Sequence, residues 1–528
     1  MSKWPRYPVL YEINTWVWLN ELRKKHQSLL DLGSVPAAEW DSLAQFGFDA
    51  VWLMGVWERS PAGISIANRN PSLLEDFHRA LPDFRLEDNV GSPYCVRRYV
   101  VDHQLGGPKG LARAREELRR RGMRLILDFV PNHVATDHPW TRGHPEYFIS
   151  GTADDVERDP SAYIRVGASI LACGRDPYFP PWPDVVQLNA FAPGLRQAVV
   201  ETLSDIASRC DGVRCDMSML LLNTIFERTW KDRAGAQPTT EYWDDVISPT
   251  KKAFPSFAFI AEAYWDLEWE LQQHGFDFCY DKRLYDRLRQ ENGESIRLHL
   301  GADLSYQGKL VRFLENHDEC RAAAAFPQPK EKAAAVAFAT LPGARLFHEG
   351  QFTGRKIRLP VFLGRLPQEP EDRALRSFYQ NLIRSLAAPV FRDGEWRLCR
   401  CSGWPDNQSC QNLLAWTRQL GQERYLIVVN FSDAPAQGQV QLPWSDLGGQ
   451  AWHLSDPLSG ATFDRDGQEM LNPGLYVDLG PWNYHCLAVQ ALAASRPRDR
   501  DQPPPTPPRG VLESAGIEIR PTNSAARM

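Results

Sequence analysis

The stretch DGVRCDMSML, residues 211–220, combines a short apolar run with charged residues. Val213 and Cys215 predict a short buried strand. Arg214 and Asp216 interrupt it with two opposite charges. Because residues i and i+2 of a strand point to the same face, these two charges share a face. An ion pair at the end of an apolar strand predicts either a structural salt bridge or part of a functional site.

Similar apolar runs recur along the first 390 or so residues, separated by amphipathic stretches such as 109–122 and 194–209. Their nearly continuous apolarity is typical of parallel strands buried on both faces. The predicted strands are 9–19, 49–55, 124–130, 212–216, 257–263, 310–316 and 344–350, with 275–281 as a weaker eighth. Alternation of strands and helices predicts an α/β barrel or a doubly wound sheet.

Changes in composition along the chain predict four regions. Residues 1–388 contain the strand–helix alternation, and within them 131–190 is too long for a simple connection and predicts a small subdomain at the rim. Residues 389–493 contain short β-type runs between turn residues, which predict an antiparallel β-sandwich. Residues 494–528 are Pro-rich and polar, and we expect them to be disordered.

The overall composition is that of an ordinary soluble globular protein, with 43% hydrophobic and 24% charged residues among 528. The net charge of −6 argues against nucleic acid or an anionic membrane as a partner. We find no apolar run long enough to span a membrane and no signal-peptide pattern. The ten Cys residues form no CxxC motif, so we expect reduced thiols, a cytoplasmic location and no metal site.

Four short segments place polar groups at the carboxyl ends of predicted strands, where a parallel α/β barrel carries its chemistry. Each is weak evidence alone, since a strand-terminal Glu262 can be a capping residue. Together they supply three carboxylates and two His, which meet at one mouth only if the strands close into one barrel. The segments are DFVPNH (128–133), GVRCD (212–216), IAEA (260–263) and ENHDE (315–319).

In this order, the four segments resemble the four signature regions of the α-amylase family, glycoside hydrolase family 13. Residues 91–107, 183–189 and 341–351 resemble further segments of the same family, so the likeness extends over most of the chain. The resemblance implies a (β/α)8 TIM barrel, a small rim subdomain after strand three and a C-terminal antiparallel β-sandwich. It does not assign a subfamily.

The resemblance also implies roles for the charged residues. Asp216 is expected to be the nucleophile, Glu262 the general acid and base, and Asp318 the residue that stabilises the oxocarbenium-like transition state. Arg214 would keep Asp216 ionised, because a nearby opposite charge lowers the pKa of a carboxyl group. Two carboxylates placed for covalent catalysis give retention of configuration.

By the same resemblance, His133 and His317 would hydrogen-bond hydroxyl groups of the sugar at the cleavage point. Tyr94 would stack on the apolar face of that sugar, with packing in the core as the alternative.

Structural calcium is a further property that the resemblance raises. Asn132 matches a position that often ligates calcium in the family, and Asp184 and Asp176 are other candidates. One oxygen is far short of the six to eight that calcium takes. We therefore expect no cofactor.

These features predict a retaining glycoside hydrolase that cleaves α-glucosidic bonds in α-glucans or maltooligosaccharides. One alternative is a transglycosylase or phosphorolytic enzyme of the same family, for example a trehalose-forming one, because both reactions pass through the same glycosyl-enzyme. A second alternative is a non-catalytic carbohydrate-binding homologue, which would be expected to lack a catalytic carboxylate. The sequence indicates no particular oligomeric state.

Two departures from the family pattern bear on specificity. Met219 and Leu220 stand where many members carry Lys or His, and Phe352 stands where Glu is usual. If Met219 and Leu220 face the acceptor side, they leave it with fewer hydrogen-bonding groups. The alternative is that both side chains pack between the barrel and its helices.

Overall fold

The computed structural model describes residues 4–492. Eight strands form a closed barrel in which every neighbouring pair is parallel. This confirms the predicted (β/α)8 barrel and the weaker eighth strand. In chain order they are β1 Val9–Asn14, β2 Ala50–Met54, β3 Arg124–Phe129, β4 Gly212–Cys215, β5 Ala258–Ala261, β6 Phe278–Tyr280, β7 Leu310–Arg312 and β8 Ala344–His348.

The helices that surround the barrel bury their apolar faces against these strands. In the helix Pro193–Arg209, for example, Leu195, Val199, Leu203 and Ile206 are all buried. The main helices of the barrel region are Thr15–His26, Ala37–Ala44, Pro61–Ala67, Pro71–Ala80, Gly107–Arg120, Pro193–Arg209, Asn223–Trp230, Tyr242–Ala253, Glu268–Gln273, Lys282–Gln290, Gly293–Leu300, Lys330–Thr340 and Arg373–Leu386. No helix among the described residues is long and apolar enough to cross a membrane.

The first predicted strand, 9–19, is wrong in its second half. Strand β1 ends at Asn14, and the helix Thr15–His26 follows directly. The Asn14 side chain accepts a hydrogen bond from the backbone N–H of Val17 and so caps this helix. The apolar run continues from the strand into the helix because Trp16 and its neighbours in the helix are buried, as the residues of β1 are.

The connection after β3 forms a small sheet of its own at the carboxyl end of the barrel. Its four strands pair antiparallel in the order His133–Ala135, Trp182–Gln187, Ser169–Gly174 and Tyr163–Val166. The strand Trp182–Gln187 contributes to the wall of the cavity described below.

The C-terminal region consists of two antiparallel sheets whose inner faces share one apolar core. Leu413 and Val428 come from the larger sheet and Val440 and Val477 from the smaller one. The larger sheet has the order Glu395–Leu398, Leu413–Leu420, Glu423–Asn430, Tyr484–Ala491, Ala451–Ser455 and Thr462–Asp466. The smaller sheet has the order Arg400–Ser402, Ala436–Gln441 and Leu475–Leu479. The tail predicted from residue 494 lies outside the described residues.

Candidate active site

A cavity of about 460 Å³ opens at the carboxyl ends of the barrel strands. Asp216, Glu262 and Asp318 all line it, and so do Tyr94 and His133. Further parts of its wall come from the helices 61–67 and 71–80, from the rim strand at 182–185 and from Phe362. The barrel thus brings side chains from distant parts of the sequence to one mouth.

Arg214 lies behind the cavity and joins two of its carboxylates. Its Nη1 is 2.6 Å from Oδ1 of Asp216, and its Nη2 is 2.8 Å from Oε2 of Glu262. The Arg214 side chain is 1% exposed, and the rings of Trp52 and Tyr94 lie within 5.5 Å of its guanidinium carbon. The aromatic packing fixes the guanidinium group, so the two carboxylates are held close together.

The two carboxyl groups beside Arg214 both have raised pKa values. Burial raises the pKa of Asp216, and the charge of Arg214 opposes that rise. Burial raises the pKa of Glu262 to about 7, against the charge of Arg214 and with the help of the negative charges of Asp216 and Asp318. Glu262 is therefore partly protonated at neutral pH, which suits a general acid.

Two further groups hydrogen-bond to Glu262. The backbone N–H of Met217 donates to its Oε2 at 2.6 Å, and the hydroxyl of Tyr264 donates to its Oε1 at 2.9 Å. Met217 has φ +44, in the left-handed region, so the chain turns sharply just after Asp216. This turn aims the Met217 N–H at Glu262.

His317 lies between two carboxylates. Its Nε2 is 2.8 Å from Oδ2 of Asp318, and its Nδ1 is 2.5 Å from Oε1 of Glu12. Burial disfavours a charge on His317, but the two carboxylates outweigh this effect and raise its pKa to about 10. Loss of hydration also disfavours the charge of Asp318. The charge of His317 and its hydrogen bond outweigh this effect and lower the pKa of Asp318 to about 2. Asp318 is therefore ionised at neutral pH beside a cationic His317.

Tyr94 lies against His317 at the cavity wall. Its hydroxyl is 2.6 Å from Nε2 of His317, and the two rings stack with centroids 5.3 Å apart. His133 also lines the cavity, and burial lowers its pKa to about 4, so it is neutral at pH 7. A neutral imidazole can donate to or accept from a sugar hydroxyl.

The candidate calcium ligands already make hydrogen bonds within the protein. The side-chain oxygen of Asn132 accepts from Gln187 at 2.9 Å, and Oδ1 of Asp176 accepts from the backbone N–H of Tyr178 at 2.6 Å. Among residues 4–492, no group of three or more His, Cys, Asp or Glu is placed to hold a metal ion.

Met219 and Leu220 do not face the cavity. The left-handed turn at Met217 leads into the 3-10 turn Ser218–Leu221, and both side chains pack into the main core with exposures of 0% and 3%. The hypothesis that they face the acceptor side is therefore wrong, and the alternative that both side chains pack inside the protein is confirmed. The alternating faces of β4 do not extend past Asp216, because the backbone leaves the extended conformation there.

Comparisons with known proteins agree with this geometry. The family described as "Alpha amylase, catalytic domain" matches residues 38–162. The curated relative "Alpha-amylase MalA" of Haloarcula japonica is 23% identical over 442 residues, which cover 82% of this chain and 56% of that protein. These similarities support the assignment of the chain to the α-amylase family. The resemblance seen in the sequence is thus confirmed.

Other relatives within the α-amylase family differ in activity and length. "Alpha-1,4-glucan:maltose-1-phosphate maltosyltransferase" of Rhodospirillum rubrum is 25% identical over 43% of this chain and 28% of that protein. The chain spans about half the length of the curated α-amylases it matches. Among solved structures, the maltogenic α-amylase AmyB of Thermotoga neapolitana shares the fold, with a TM-score of 0.65 and 19% identity over 92% of this chain and 99% of that one.

The sequence analysis missed Glu12. It lies in the middle of β1, is 0% exposed and contacts His317. Its signal was present, because a carboxylate inside an apolar strand is the same kind of interruption as the charge of Arg214 inside β4. Tyr264 was also missed, although it follows Glu262 by two residues.

We expect Glu12→Gln to lower kcat/KM on a maltooligosaccharide by about tenfold or more, because a hydrogen bond to a charged group contributes roughly 1.5–3 kcal/mol. The amide keeps the shape but removes one of the two charges that raise the pKa of His317. Steady-state kinetics measure the effect, and circular dichroism checks folding. Glu21→Gln, at a partly exposed position on the adjacent helix, is the control and should stay near wild type. Equal activity in both variants would contradict the role of Glu12.

We expect Met219→Lys to lower the melting temperature by many degrees, because the ammonium group would be buried without a partner. Met217→Lys is the matched comparison, since Met217 lines the cavity and is half-buried. This second variant should retain most of its stability and change activity instead. Scanning calorimetry of the two variants gives the measurement, and equal melting temperatures would contradict the burial of Met219.

Proposed function

We propose that this protein is a retaining glycoside hydrolase that cleaves α-glucosidic bonds in α-glucans or maltooligosaccharides. The observation that carries the proposal is the pair Asp216 and Glu262, which face one cavity and share the guanidinium group of Arg214. A short separation between two carboxyl groups is the arrangement that retaining glycosidases use. Family membership supports the same reaction class.

In the proposed first step, a carboxylate oxygen of Asp216 attacks the anomeric carbon as the bond to the glycosidic oxygen breaks. Glu262 gives its proton to that oxygen, so the leaving sugar departs as a neutral alcohol. The pKa of Glu262, about 7, leaves a proton available near neutral pH. In the second step, Glu262 takes a proton from water, which displaces Asp216 and releases the sugar with its original configuration.

Asp318 and His317 complete the site in this proposal. Positive charge develops on the anomeric centre in the transition state, and the ionised Asp318 at the cavity wall would stabilise it electrostatically. His317 holds Asp318 through the 2.8 Å contact and is itself held by Glu12. His133 and Tyr94 line the same cavity and would contact the sugar at the cleavage point.

Glycosyl transfer from a phosphorylated donor is the second candidate, because several relatives are named as maltose-1-phosphate maltosyltransferases. The charge of the cavity favours hydrolysis over that reaction. Four carboxyl groups line it, those of Asp184, Asp216, Glu262 and Asp318, and none of the described lining residues is Lys or Arg. These carboxylates would repel a phosphate dianion, whereas a neutral glucan carries no charge for them to repel.

Product analysis tests the proposal. The protein is incubated with a maltooligosaccharide series, and proton NMR follows the anomer that forms first. Parallel incubations offer trehalose, sucrose and maltose 1-phosphate as donors. We expect hydrolysis with the α-anomer appearing first. Initial release of the β-anomer, or turnover of maltose 1-phosphate with no hydrolysis of any oligosaccharide, would overturn the proposal.

A further inference from the structure

Three Arg side chains lie within electrostatic range of one another between the barrel and the larger C-terminal sheet. Arg312 belongs to β7, Arg345 to β8, and Arg418 to the strand Leu413–Leu420. Each of the three is 0% exposed. A buried cation needs a partner of opposite charge, since loss of hydration disfavours it strongly.

This Arg cluster is separate from the candidate active site. In the barrel register, Arg312 pairs with Arg345, and Arg345 pairs with Val9, the first residue of β1. Arg345 therefore lies near the amino-terminal end of β8, and Arg312, the last residue of the short strand β7, lies beside it. The catalytic carboxylates follow the opposite ends.

Most acceptors around the Arg cluster are neutral. Arg345 and Arg418 donate to backbone carbonyls at distances between 2.5 and 3.3 Å. These carbonyls belong to Tyr7, Leu341 and Phe391 for Arg345 and to Thr340 and Gly394 for Arg418. Such contacts satisfy hydrogen bonds but do not neutralise the charge.

The neighbouring carboxylates also contact other side chains. Asp281 contacts Arg312 at 3.2 Å but also His299 at 3.0 Å. Asp49, the carboxylate that acts on Arg345, is ion-paired to Arg392 at 3.3 Å. Among the described residues, no carboxylate lies within 4.0 Å of Arg418. The Arg cluster therefore carries an excess of positive charge.

Several buried donors of the cluster have no hydrogen-bond acceptor among residues 4–492. They are Nη1 of Arg312, Nε of Arg345, Nη2 of Arg418 and the hydroxyl of Tyr7. Tyr7 is 0% exposed and connects two of the Arg residues. Its carbonyl accepts from Arg345 at 3.0 Å, and its ring centroid is 5.0 Å from the guanidinium carbon of Arg418.

The titration behaviour of the cluster agrees with its excess charge. Burial and the charges of Arg345 and Arg312 lower the pKa of Arg418 well below its usual range. Burial lowers the pKa of Arg345 to about 9, and Arg392 and Arg312 contribute in the same direction. Negative charge at this position would stabilise all three guanidinium groups.

We propose that the Arg cluster binds a small monovalent anion of the halide type, accepting hydrogen bonds from the free guanidinium donors and from the Tyr7 hydroxyl. The anion would compensate the buried charge and join the barrel to the C-terminal sheets. This proposal does not depend on the reaction that the protein catalyses. If the anion binds there, the melting temperature depends on which anion is present and not only on the ionic strength.

Thermal unfolding of the full chain tests the proposal with chloride as the probe. Sodium chloride replaces sodium gluconate stepwise up to about 200 mM at constant ionic strength, since a ligand that binds only the folded state raises the melting temperature. We expect a saturable rise of at least about 2 °C. Absence of any difference between chloride and gluconate would overturn the proposal.

Variants localise the effect. Arg418→Met removes one cation of the cluster and should abolish the response to chloride, whereas Arg397→Met, at an exposed position on the same sheet, should keep it. An unchanged response in Arg418→Met would place the anion elsewhere and overturn the assignment. If Arg418→Met does not fold, crystals of the wild-type protein grown with bromide decide the question. Anomalous density beside Arg418 supports the site, and its absence overturns it.

Discussion

Asp216→Asn is expected to leave a folded protein with at most about a thousandth of the wild-type kcat on maltooligosaccharides, since loss of a nucleophile costs several orders of magnitude. The amide keeps the shape of the side chain beside Arg214, but it is a poor nucleophile. The measurement is steady-state release of reducing sugar, with circular dichroism to verify folding.

The control for this variant lies at the opposite end of the same strand. Asp211→Asn changes a carboxylate just before β4, where Asp211 accepts from the backbone N–H of Leu125 and contacts Arg115. That variant should lower the melting temperature and leave kcat near wild type. If Asp216→Asn retained activity within tenfold of wild type, Asp216 would not be the nucleophile.

Glu262→Gln is expected to abolish hydrolysis of maltooligosaccharides while sparing part of the attack on α-glucosyl fluoride. Fluoride leaves without protonation, so the first step no longer needs the acid. We expect a loss of at least about a hundredfold on oligosaccharides and a much smaller loss in the glucosylation step on the fluoride. Equal losses on both donors would refute the acid/base assignment.

The pH profile gives a second readout of the same residue. Glu262 must be protonated to act as the acid, and its pKa is about 7. Activity of the wild-type protein should therefore fall as the pH rises through about 7. On the acidic side, activity should fall as Asp216 takes up a proton, because the nucleophile must be ionised. Glu262→Gln should remove the alkaline fall from the residual activity on the fluoride.

Glu268 provides a matched control for the pH profile. Burial also raises its pKa to about 7, but it does not line the cavity. Glu268→Gln should keep the alkaline fall near pH 7. If that variant lost the fall, the titration would report Glu268 or the stability of the fold rather than the acid.

The barrel and most of its site could be predicted from local sequence patterns. Buried parallel strands appear as short apolar runs, and a charge at the end of such a run stands out. For this reason Asp216, Glu262 and Asp318 were found from their positions after strands, and the structure brings all three to one cavity. The order of the segments then indicated the family.

Two features could not be predicted because they depend on where the backbone changes direction. The run 9–19 has uniform apolarity, so the transition from β1 to a helix at Thr15 leaves no mark in its periodicity. The change of direction after Asp216 is equally invisible in the sequence pattern. There the left-handed backbone conformation of Met217 turns the side chain of Met219 into the core. Residue type alone does not distinguish a side chain that faces a cavity from one that faces the core.

Local patterns in the sequence were enough to predict an α/β fold and the positions of the three carboxylates, because strand burial and strand ends are local properties, and the order of the segments then favoured the barrel. Only the tertiary structure decided the electrostatics of the site. Glu12 and His317 are separated by 305 positions, yet their contact raises the pKa of His317 and thereby keeps Asp318 ionised. The pKa of Glu262 likewise depends on burial and on the charges that the closed barrel places around it. Such effects depend on distances through space, which only closure of the barrel sets.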